Sequence, residues 1–218
     1  MKFTLNRNNI TCPIFVLTLF LIASCSDEIT KPINDVYINI PDHHFETMLI
    51  EQGIDSDGIV NQQILKTDAE EVRRLDLNLT HDFGEISDLT GIEGFVNITL
   101  LSAARQQIEA VDLSFNTRLD TLLLQGNYLT SIDVSNNSNL ILVDILSNQL
   151  SSITGLSGAT NLKKLNLSWN NLEEFSIHNE SIEVLHISQN LLKSIDTNGA
   201  VNLKNILLTS NGLTSVDF

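Results

Sequence analysis

Two short stretches of the sequence contain residue types that could perform chemistry, but neither completes the pattern that its chemistry requires. The segment GLSGA at 155–159 encloses a serine between glycines. It lacks the final glycine of a G-x-S-x-G nucleophile turn, so we interpret it as a turn that is one residue longer than its neighbours. His43 and His44 stand together at the start of a candidate helix. We expect both side chains to be solvated rather than bound to a metal.

A third stretch, Asp55-Ser-Asp-Gly58, has the alternating oxygen-bearing residues of a calcium loop. Such a loop needs a carboxylate at its twelfth position. Counted from Asp55, the twelfth residue is Lys66. We therefore predict a degenerate turn, and for the whole chain no metal, no cofactor and no enzymatic activity.

The first 24 residues have the order of an export signal, with a basic start followed by an apolar run from Ile14 to Ile22. This run is too short to span a bilayer. It leads into Ile22-Ala-Ser-Cys25, which resembles a bacterial lipobox, and the resemblance implies that Cys25 becomes the lipidated N-terminus. The alternative is a plain secretory signal in which Cys25 has no role.

The residues after Cys25 resemble a second localisation signal. Ser26-Asp-Glu28 resembles the acidic export tag of Bacteroidetes lipoproteins. The resemblance implies a lipid-anchored protein at the cell surface, on the outer membrane, whereas the alternative is a solvated linker. We assign 1–24 to the signal and 25–36 to an acidic linker. Because Cys12 leaves with the signal, no cysteine remains for a disulfide or a metal site.

The net charge of the chain limits the kinds of partner that it is expected to bind. The formal net charge is -15, and residues 26–95 carry 16 acids against 4 bases. Nucleic acid would repel such a surface, so we predict no nucleic-acid partner and a membrane contact only through the lipid anchor.

The strongest pattern is an internal repeat of 20–22 residues. Five segments fit the template LxxLxLxxNxL: LDTLLLQGNYL, LILVDILSNQL, LKKLNLSWNNL, IEVLHISQNLL and LKNILLTSNGL. Their asparagines are Asn127, Asn148, Asn170, Asn190 and Asn211. Each asparagine offers two donors and one acceptor, so we predict a stacked row of side chains that satisfies the backbone of successive turns.

This template resembles that of the leucine-rich repeat proteins, in particular the short repeats of Bacteroidetes surface proteins. The resemblance implies a solenoid with a parallel β-sheet on its concave face and extended or 3-10 segments on its convex side. Two weaker units, from Val72 and from Ile98, precede the five, and the second of them has Ala103 and Gln106 where leucine and asparagine are expected. We predict about seven repeats over 72–218, and a second, less regular polar row at Asn116 and Asn137.

An open solenoid end would expose its leucines, so residues 37–71 are expected to form a small helical N-terminal cap. Asp42 is a candidate N-cap and Gly53 a candidate C-terminal stop, with Phe45, Met48 and Leu49 on one apolar face. A second helix is predicted to begin at Thr67, whose spacing to Glu70 suits a capping box.

The non-leucine positions of each LxxLxL segment project from the concave sheet, and they are the candidate binding residues. The middle column is Asp76, Ser102, Leu123, Asp144, Asn166, His186 and Leu207, and the flanking columns add Leu100, Leu142, Leu146, Lys164, Trp169 and Val184. Exposed apolar groups on a rigid surface are typical of a partner site. We predict a ligand-binding surface formed by Leu123, Leu142, Asp144, Leu146, Asn166, Trp169 and His186.

Two functions follow from this surface. The first is a cell-surface recognition module that binds a protein, or alternatively a glycan, through the concave face. The second is a structural or assembly protein that forms a homodimer through its uncapped C-terminal repeat. Because leucine-rich repeats serve many partners on one scaffold, the resemblance does not identify the ligand.

Overall fold

A computed structural model describes residues 36–78, 84–214 and 216 of the chain. The predicted signal, the lipidated Cys25 and almost all of the linker lie outside these residues. Within the described part of the chain, no helix is long and apolar enough to cross a membrane.

The repeats build a parallel seven-stranded sheet in which each strand comes from one turn of a solenoid. Every strand is three residues long and pairs in parallel with its neighbours in the sheet, and the middle residue is buried in all but the last of the seven strands. In sheet order the strands are β3 (Arg74–Asp76), β4 (Leu100–Ser102), β5 (Thr121–Leu123), β7 (Leu142–Asp144), β9 (Lys164–Asn166), β11 (Val184–His186) and β13 (Asn205–Leu207). The predicted solenoid with one parallel sheet is confirmed.

The opposite side of the solenoid, called here the outer row, is paired only in part. Its strands are β6 (Ser131–Asp133), β8 (Ser152–Thr154), β10 (Glu174–Ser176) and β12 (Ser194–Asp196). β6 pairs with β8 and β10 pairs with β12, both in parallel, whereas β8 and β10 do not pair. Extended and 3-10 segments share this side, as the short repeat predicts.

Two turns of the outer row contain an inserted glycine and a 3-10 helix. The helices are Ile92–Gly94 and Leu156–Gly158, and each follows a left-handed glycine, Gly91 or Gly155. A Cβ added at Gly155 would lie 2.2 Å from the backbone nitrogen of Ser135, so only glycine fits there. The prediction of a longer turn at GLSGA is therefore confirmed.

The core is a continuous stack of aliphatic side chains between the sheet and the outer row. The three apolar positions of the LxxLxL segments are almost fully buried in each of the inner turns, as with Leu140, Val143 and Ile145 at 0% exposed. One turn alone buries too little apolar surface to offset the entropy of ordering its backbone, so stability depends on contacts between neighbouring turns.

The five template asparagines form a row at the turns after the sheet strands, called here the inner row. The Nδ2 group of Asn148 donates to the carbonyl oxygens of Leu124 at 2.9 Å and Ile145 at 3.3 Å, and its Oδ1 accepts from the backbone N–H of Leu129 at 3.0 Å. Asn127, Asn170, Asn190 and Asn211 repeat these three bonds one turn apart. Each amide therefore links its own turn to the preceding one.

Gln106 extends the inner row into the unit that departs from the template. Its Nε2 donates to the carbonyl of Leu77 at 2.7 Å, and its Oε1 accepts from the N–H of Ile86 at 3.1 Å. Glutamine carries the same donors and acceptor as asparagine on a stem that is one methylene longer. The substitution of glutamine therefore preserves the turn.

Two helices and a two-stranded antiparallel sheet precede the first repeat. β1 (Tyr37–Asn39) pairs with β2 (Gln63–Leu65), and the helices are α1 (His43–Glu51) and α2 (Lys66–Glu71). The Phe45 ring of α1 packs against Phe95 with centroids 6.1 Å apart, so the helix covers the apolar interior of the first turns.

The helix boundaries agree with the sequence at α1 and differ at α2. Asp42 caps α1 by accepting from the N–H groups of His44 and Phe45, and Gly53 follows the helix in the left-handed conformation. The predicted capping box at Thr67 is wrong, because α2 begins at Lys66 directly after β2 and no side chain caps it. The preceding strand fixes the start of this helix, so the local signal was overridden.

Candidate functional site

The predicted middle column lies in register across the whole sheet. The register pairs Asp76 with Ser102, Ser102 with Leu123, Leu123 with Asp144 and so on through Asn166 and His186 to Leu207. Parallel strands about 4.8 Å apart therefore place these seven side chains in one line. Most of them are half-buried, which leaves part of each accessible to a partner.

The predicted apolar residues occupy two adjacent strands. Leu123 lies on β5 and Leu142 on β7, and both side chains are half-buried. Leu146 follows β7 on the same face, with Asp144 between it and Leu142. The structure thus brings the three leucines to one region of the sheet face but interrupts them with a carboxylate.

Asp144 and Asn166 have a structural role that the sequence analysis missed. The Oδ1 atom of Asp144 accepts from the N–H of Leu146 at 3.1 Å, and Oδ1 of Asn166 accepts from the N–H of Ser168 at 3.2 Å. Such bonds from a side chain to the backbone two residues on stabilise the bend where a strand ends. They account for a short polar residue at the last strand position and leave the second polar atom of each side chain for a ligand.

A second row, of left-handed residues, lies immediately before the inner row. In each of the six turns from β4 onwards, one residue has a positive φ close to that of a left-handed helix: Arg105, Gly126, Ser147, Trp169, Gln189 and Ser210. The backbone N–H of Trp169 donates to the carbonyl of Ser188 in the next turn at 2.9 Å, and the residues before it in the row make equivalent bonds. Each turn reverses direction at this row, so the fold requires this conformation whatever the residue type.

Trp169 is the exceptional member of the left-handed row. Its φ is 59° and its side chain is 59% exposed. A bulky residue in this region is disfavoured by contacts of its Cβ with the backbone, at a cost of about 1–2 kcal/mol. Neighbouring turns hold the backbone on both sides, because the Trp169 carbonyl also accepts from the N–H of Asn148 at 3.1 Å. The indole therefore projects from a fixed position into solvent.

His186 lies in the same half of the sheet face as Trp169. It ends β11, is half-buried, and has Asn166 and Leu207 as its register neighbours. Together with Lys164 and Val184 on the same two strands, it makes this half of the sheet face mixed in character, with cationic, polar and apolar groups side by side.

The stretches that first suggested chemistry have structural roles. GLSGA contains a 3-10 helix rather than a strand-to-helix turn, so Ser157 is not presented as a nucleophile. His44 lies 2.7 Å from a Glu85 carboxylate oxygen, and His43 stacks against His44. No group of three or more histidine, cysteine, aspartate or glutamate residues in the described part of the chain is arranged to hold a metal ion.

Two carboxylates, one in α1 and one in the loop after it, are buried. Glu46 is 0% exposed, and its Oε1 accepts from the N–H groups of Asn61 and Gln63 at 2.8 and 3.1 Å. Asp55 is 3% exposed, and burial together with the nearby Asp57 carboxylate raises its pKa to about 6. One oxygen of each, Oε2 of Glu46 and Oδ2 of Asp55, has no hydrogen-bond partner.

Several solved structures have an architecture similar to that of this chain. The functional domain of InlJ from Listeria monocytogenes, which includes a cysteine ladder, superposes with a TM-score of 0.63 at 22% identity, covering 83% of this chain and 44% of that domain. Internalin C2 from the same species gives 0.60 at 19% identity over 85% and 90%. YopM from Yersinia enterocolitica gives 0.56 at 24% identity over 67% and 31%.

These likenesses define the class of fold. The chain has a leucine-rich repeat solenoid fold, and it spans less than half the length of the InlJ domain. No family model matches the sequence, and no curated protein is similar enough to be counted as a relative.

Proposed function

We propose that this protein is a surface-anchored recognition module that binds a protein partner through the face of its seven-stranded sheet, with Trp169 as the central contact. The carrying observation is that a single tryptophan is held 59% exposed just beyond the carboxyl end of β9. The fold imposes the left-handed φ on this whole row, so the functional signal is the exposed indole, which no other member of the row carries.

The chemistry around Trp169 supports a protein ligand. Tryptophan is enriched among the residues that contribute most to protein interfaces, because it buries a large apolar area with few rotatable bonds. The half-buried Leu142 and Leu146 extend the apolar area, while His186 and Asn166 supply polar contacts at its border. An apolar centre with a polar rim is the arrangement that protein interfaces use.

The test is a binding experiment with matched aromatic variants. Immobilised protein is incubated with surface extracts, the captured partner is identified, and its affinity is measured for wild type, Trp169→Ala and Tyr37→Ala. Tyr37 is 37% exposed on β1, so it controls for the loss of an exposed aromatic ring elsewhere. We expect Trp169→Ala to weaken binding about 30-fold or more and Tyr37→Ala to have no effect.

Two outcomes would contradict this assignment. Equal affinity of wild type and Trp169→Ala would remove the sheet face from consideration. Capture of oligosaccharides rather than protein would keep the face but change the ligand to a glycan, the alternative that an exposed indole and neighbouring amides also suit.

The surface location is a separate part of the proposal. It is supported by the lipobox-like residues that end at Cys25 and by the acidic residues that follow, which are similar to those of Bacteroidetes lipoproteins. Labelling with a fatty-acid analogue should modify the wild type but not Cys25→Ala, and protease added to intact cells should degrade the anchored protein. Label on Cys25→Ala, or full protection from protease, would contradict this location.

A second candidate function, assembly through the last repeat, is favoured by the exposure of β13. Leu185 and Ile187 on β11 are 0% exposed, whereas the equivalent Ile206 and Leu208 are only partly buried and Leu207 is 45% exposed. A second copy could cover these groups. Sedimentation at high concentration should then show a dimer that Ile206→Lys disrupts, and a monomer at all concentrations would exclude this function.

A further inference from the structure

The outer row contains a groove that the sheet-face proposal does not use. It lies between the turn that carries the first 3-10 helix and the segment Ala110–Asp112, and it encloses a cavity of about 540 Å³. Two further cavities, of about 260 and 530 Å³, meet the first at Ala110. The three neighbouring cavities are called here the outer groove.

The outer groove exists because pairing of the outer row fails at Ala110–Asp112. In the described part of the chain this segment pairs with neither neighbouring turn, and no hydrogen bond is formed by its backbone N–H or C=O groups. In the following turn the equivalent segment is β6, which pairs with β8. The backbone groups of this segment are therefore left without a hydrogen-bond partner in the described part of the chain.

The walls of the outer groove are acidic and contain no base. Asp88, Glu93 and Asp112 line the largest cavity, and Asp133 and Glu109 line the adjoining ones, whereas no lysine or arginine lines any of the three. Hydrogen bonds from Ser114 hold the pKa of Asp112 below its usual range, and hydrogen bonds from Ser135 do the same for Asp133. Asp112 and Asp133 are thus charged at neutral pH and act only as hydrogen-bond acceptors.

The floor of the outer groove is apolar and ends in an exposed aromatic ring. Leu89 and Ile92 are buried beneath it, Val111 is half-buried, and Phe115 is 60% exposed at its edge. An aromatic face next to carboxylates suits a guanidinium group, which stacks on the ring while its N–H groups bind two acceptors. A lysine ammonium group would satisfy the charge but not the stacking.

We infer that the outer groove docks an extended, arginine-containing segment of a protein, in which an aliphatic residue beside the arginine packs on Val111. The arginine head stacks on Phe115 and binds the Asp112 carboxylate. This surface is on the opposite side of the solenoid from Trp169, so the protein presents two independent faces.

A second groove on the same row supplies an internal comparison. It follows the second 3-10 helix, between β8 and β10, and encloses about 480 Å³. Four serines line it, together with Glu174 and Asp196, and its aromatic residue, Phe175, is only 7% exposed. Without an exposed ring it does not provide the stacking surface, so one strong arginine site per chain is expected.

The experiment measures binding of fluorescent hexapeptides to the purified protein by anisotropy at physiological salt. The peptides alternate leucine with arginine, lysine or glutamate. We expect saturable one-to-one binding of the arginine peptide, weaker binding of the lysine peptide and none of the glutamate peptide. Phe115→Ala and Asp112→Asn should each weaken arginine-peptide binding about three- to tenfold.

Two variants separate this site from general charge attraction and from the sheet face. Glu51→Gln removes one exposed carboxylate from α1 and should leave affinity unchanged, as should Trp169→Ala. An equal effect of Glu51→Gln and Asp112→Asn would show diffuse attraction to an acidic protein and overturn the proposal. Unchanged affinity of Phe115→Ala would also overturn it.

Discussion

The inner and outer rows of the solenoid both link successive turns by hydrogen bonds, but only the inner row does so in every turn from Gln106 to Asn211. On the inner side, an amide of every turn from Gln106 to Asn211 uses both its donor and its acceptor, and the sheet runs unbroken through seven strands. On the outer side, the position three residues before the first leucine or isoleucine of the five template repeats is either asparagine or alanine: Asn116, Asn137, Ala159, Asn179 and Ala200. Two of those amides, Asn116 and Asn137, have a buried Oδ1 with no partner.

The difference shows which side of the fold fixes the repeat and which side can vary. Asn137 donates to the carbonyls of Leu113 and Asn116, but both carbonyls also accept a backbone N–H, so neither would be left without a partner if the amide were lost. Asn148 is the only acceptor for the buried N–H of Leu129. The outer row therefore tolerates alanine, inserted glycines and cavities that the inner row excludes.

The largest expected effect tests this directly. Asn148→Leu should lower the free energy of unfolding by about 3–4 kcal/mol, because the buried N–H of Leu129 and the carbonyl groups of two turns lose a partner. Asn137→Ala, on the outer row, should cost only about 1 kcal/mol. Urea titration followed by circular dichroism measures both.

Asn139→Leu is the matched control for these two variants, since Asn139 is exposed and makes one bond, to the carbonyl of Thr117. Its cost should be about 0.5 kcal/mol or less. If Asn137→Ala were as damaging as Asn148→Leu, the distinction between the two rows would be lost.

The next effect compares a glycine of the outer row with a glycine of the left-handed row. Gly155→Ala should cost about 3 kcal/mol, because the new Cβ would lie 2.2 Å from the Ser135 backbone and φ is 86°. Gly126→Ala, in the left-handed row, should cost only about 1 kcal/mol, since φ is 75° but the nearest atom lies 3.5 Å away. Thermal unfolding of both variants separates the cost of the steric clash from the cost of the left-handed φ. Equal losses of stability would mean that the outer turn shifts to relieve the clash.

A smaller and opposite effect is expected in the region before the repeats. The pKa of Asp55 is raised from 3.8 to about 6 by burial and by Asp57, so its contribution to stability is complete below pH 4 and is lost as the pH rises through 6. Asp55→Asn removes the buried charge and should stabilise the protein at pH 7.5 by roughly 1–2 kcal/mol, with little change at pH 4. Urea titrations at both pH values measure this, and an equal gain at both would contradict the titration.

The smallest expected effect concerns the left-handed row itself. Trp169→Gly should raise the free energy of unfolding by up to about 1 kcal/mol, because glycine adopts a φ of 59° without a Cβ contact. The same variant should lose partner binding. Ser147→Gly, with φ at 57°, is the control and should gain stability without a change in binding. A loss of stability in Trp169→Gly would show that the indole packs on its neighbours.

Much of the fold follows from the sequence because its repeat imposes both period and register. The LxxLxL spacing fixes which residues of β5, β7 and β9 are buried, and equal turn lengths place the strands side by side. Asp42 is also recognisable, since its side-chain acceptor and the apolar spacing after it define a helix start. The start of α2 was missed because β2 runs directly into the helix and supplies the boundary by tertiary pairing.

The site is only partly predictable, for a related reason. The sheet-face columns containing Leu123 and His186 follow from the period-two alternation of a strand. The φ value of Trp169 could not be predicted in this way. A left-handed position is normally recognised because it carries glycine or asparagine, and in this row only Gly126 meets that expectation. The burial of Glu46 was equally invisible, since its partners are backbone N–H groups of a loop that follows the helix.

The backward direction of the inner-row bonds has a mechanical consequence. Each amide bonds only to its own turn and the turn before it. A force along the stacking axis would therefore break these hydrogen bonds one turn after another rather than all at once. An anchored chain of this design would yield one coil at a time, lengthening in steps while the remaining coils stay intact. Extension of a single molecule should therefore give a sawtooth trace whose period corresponds to the length of one repeat.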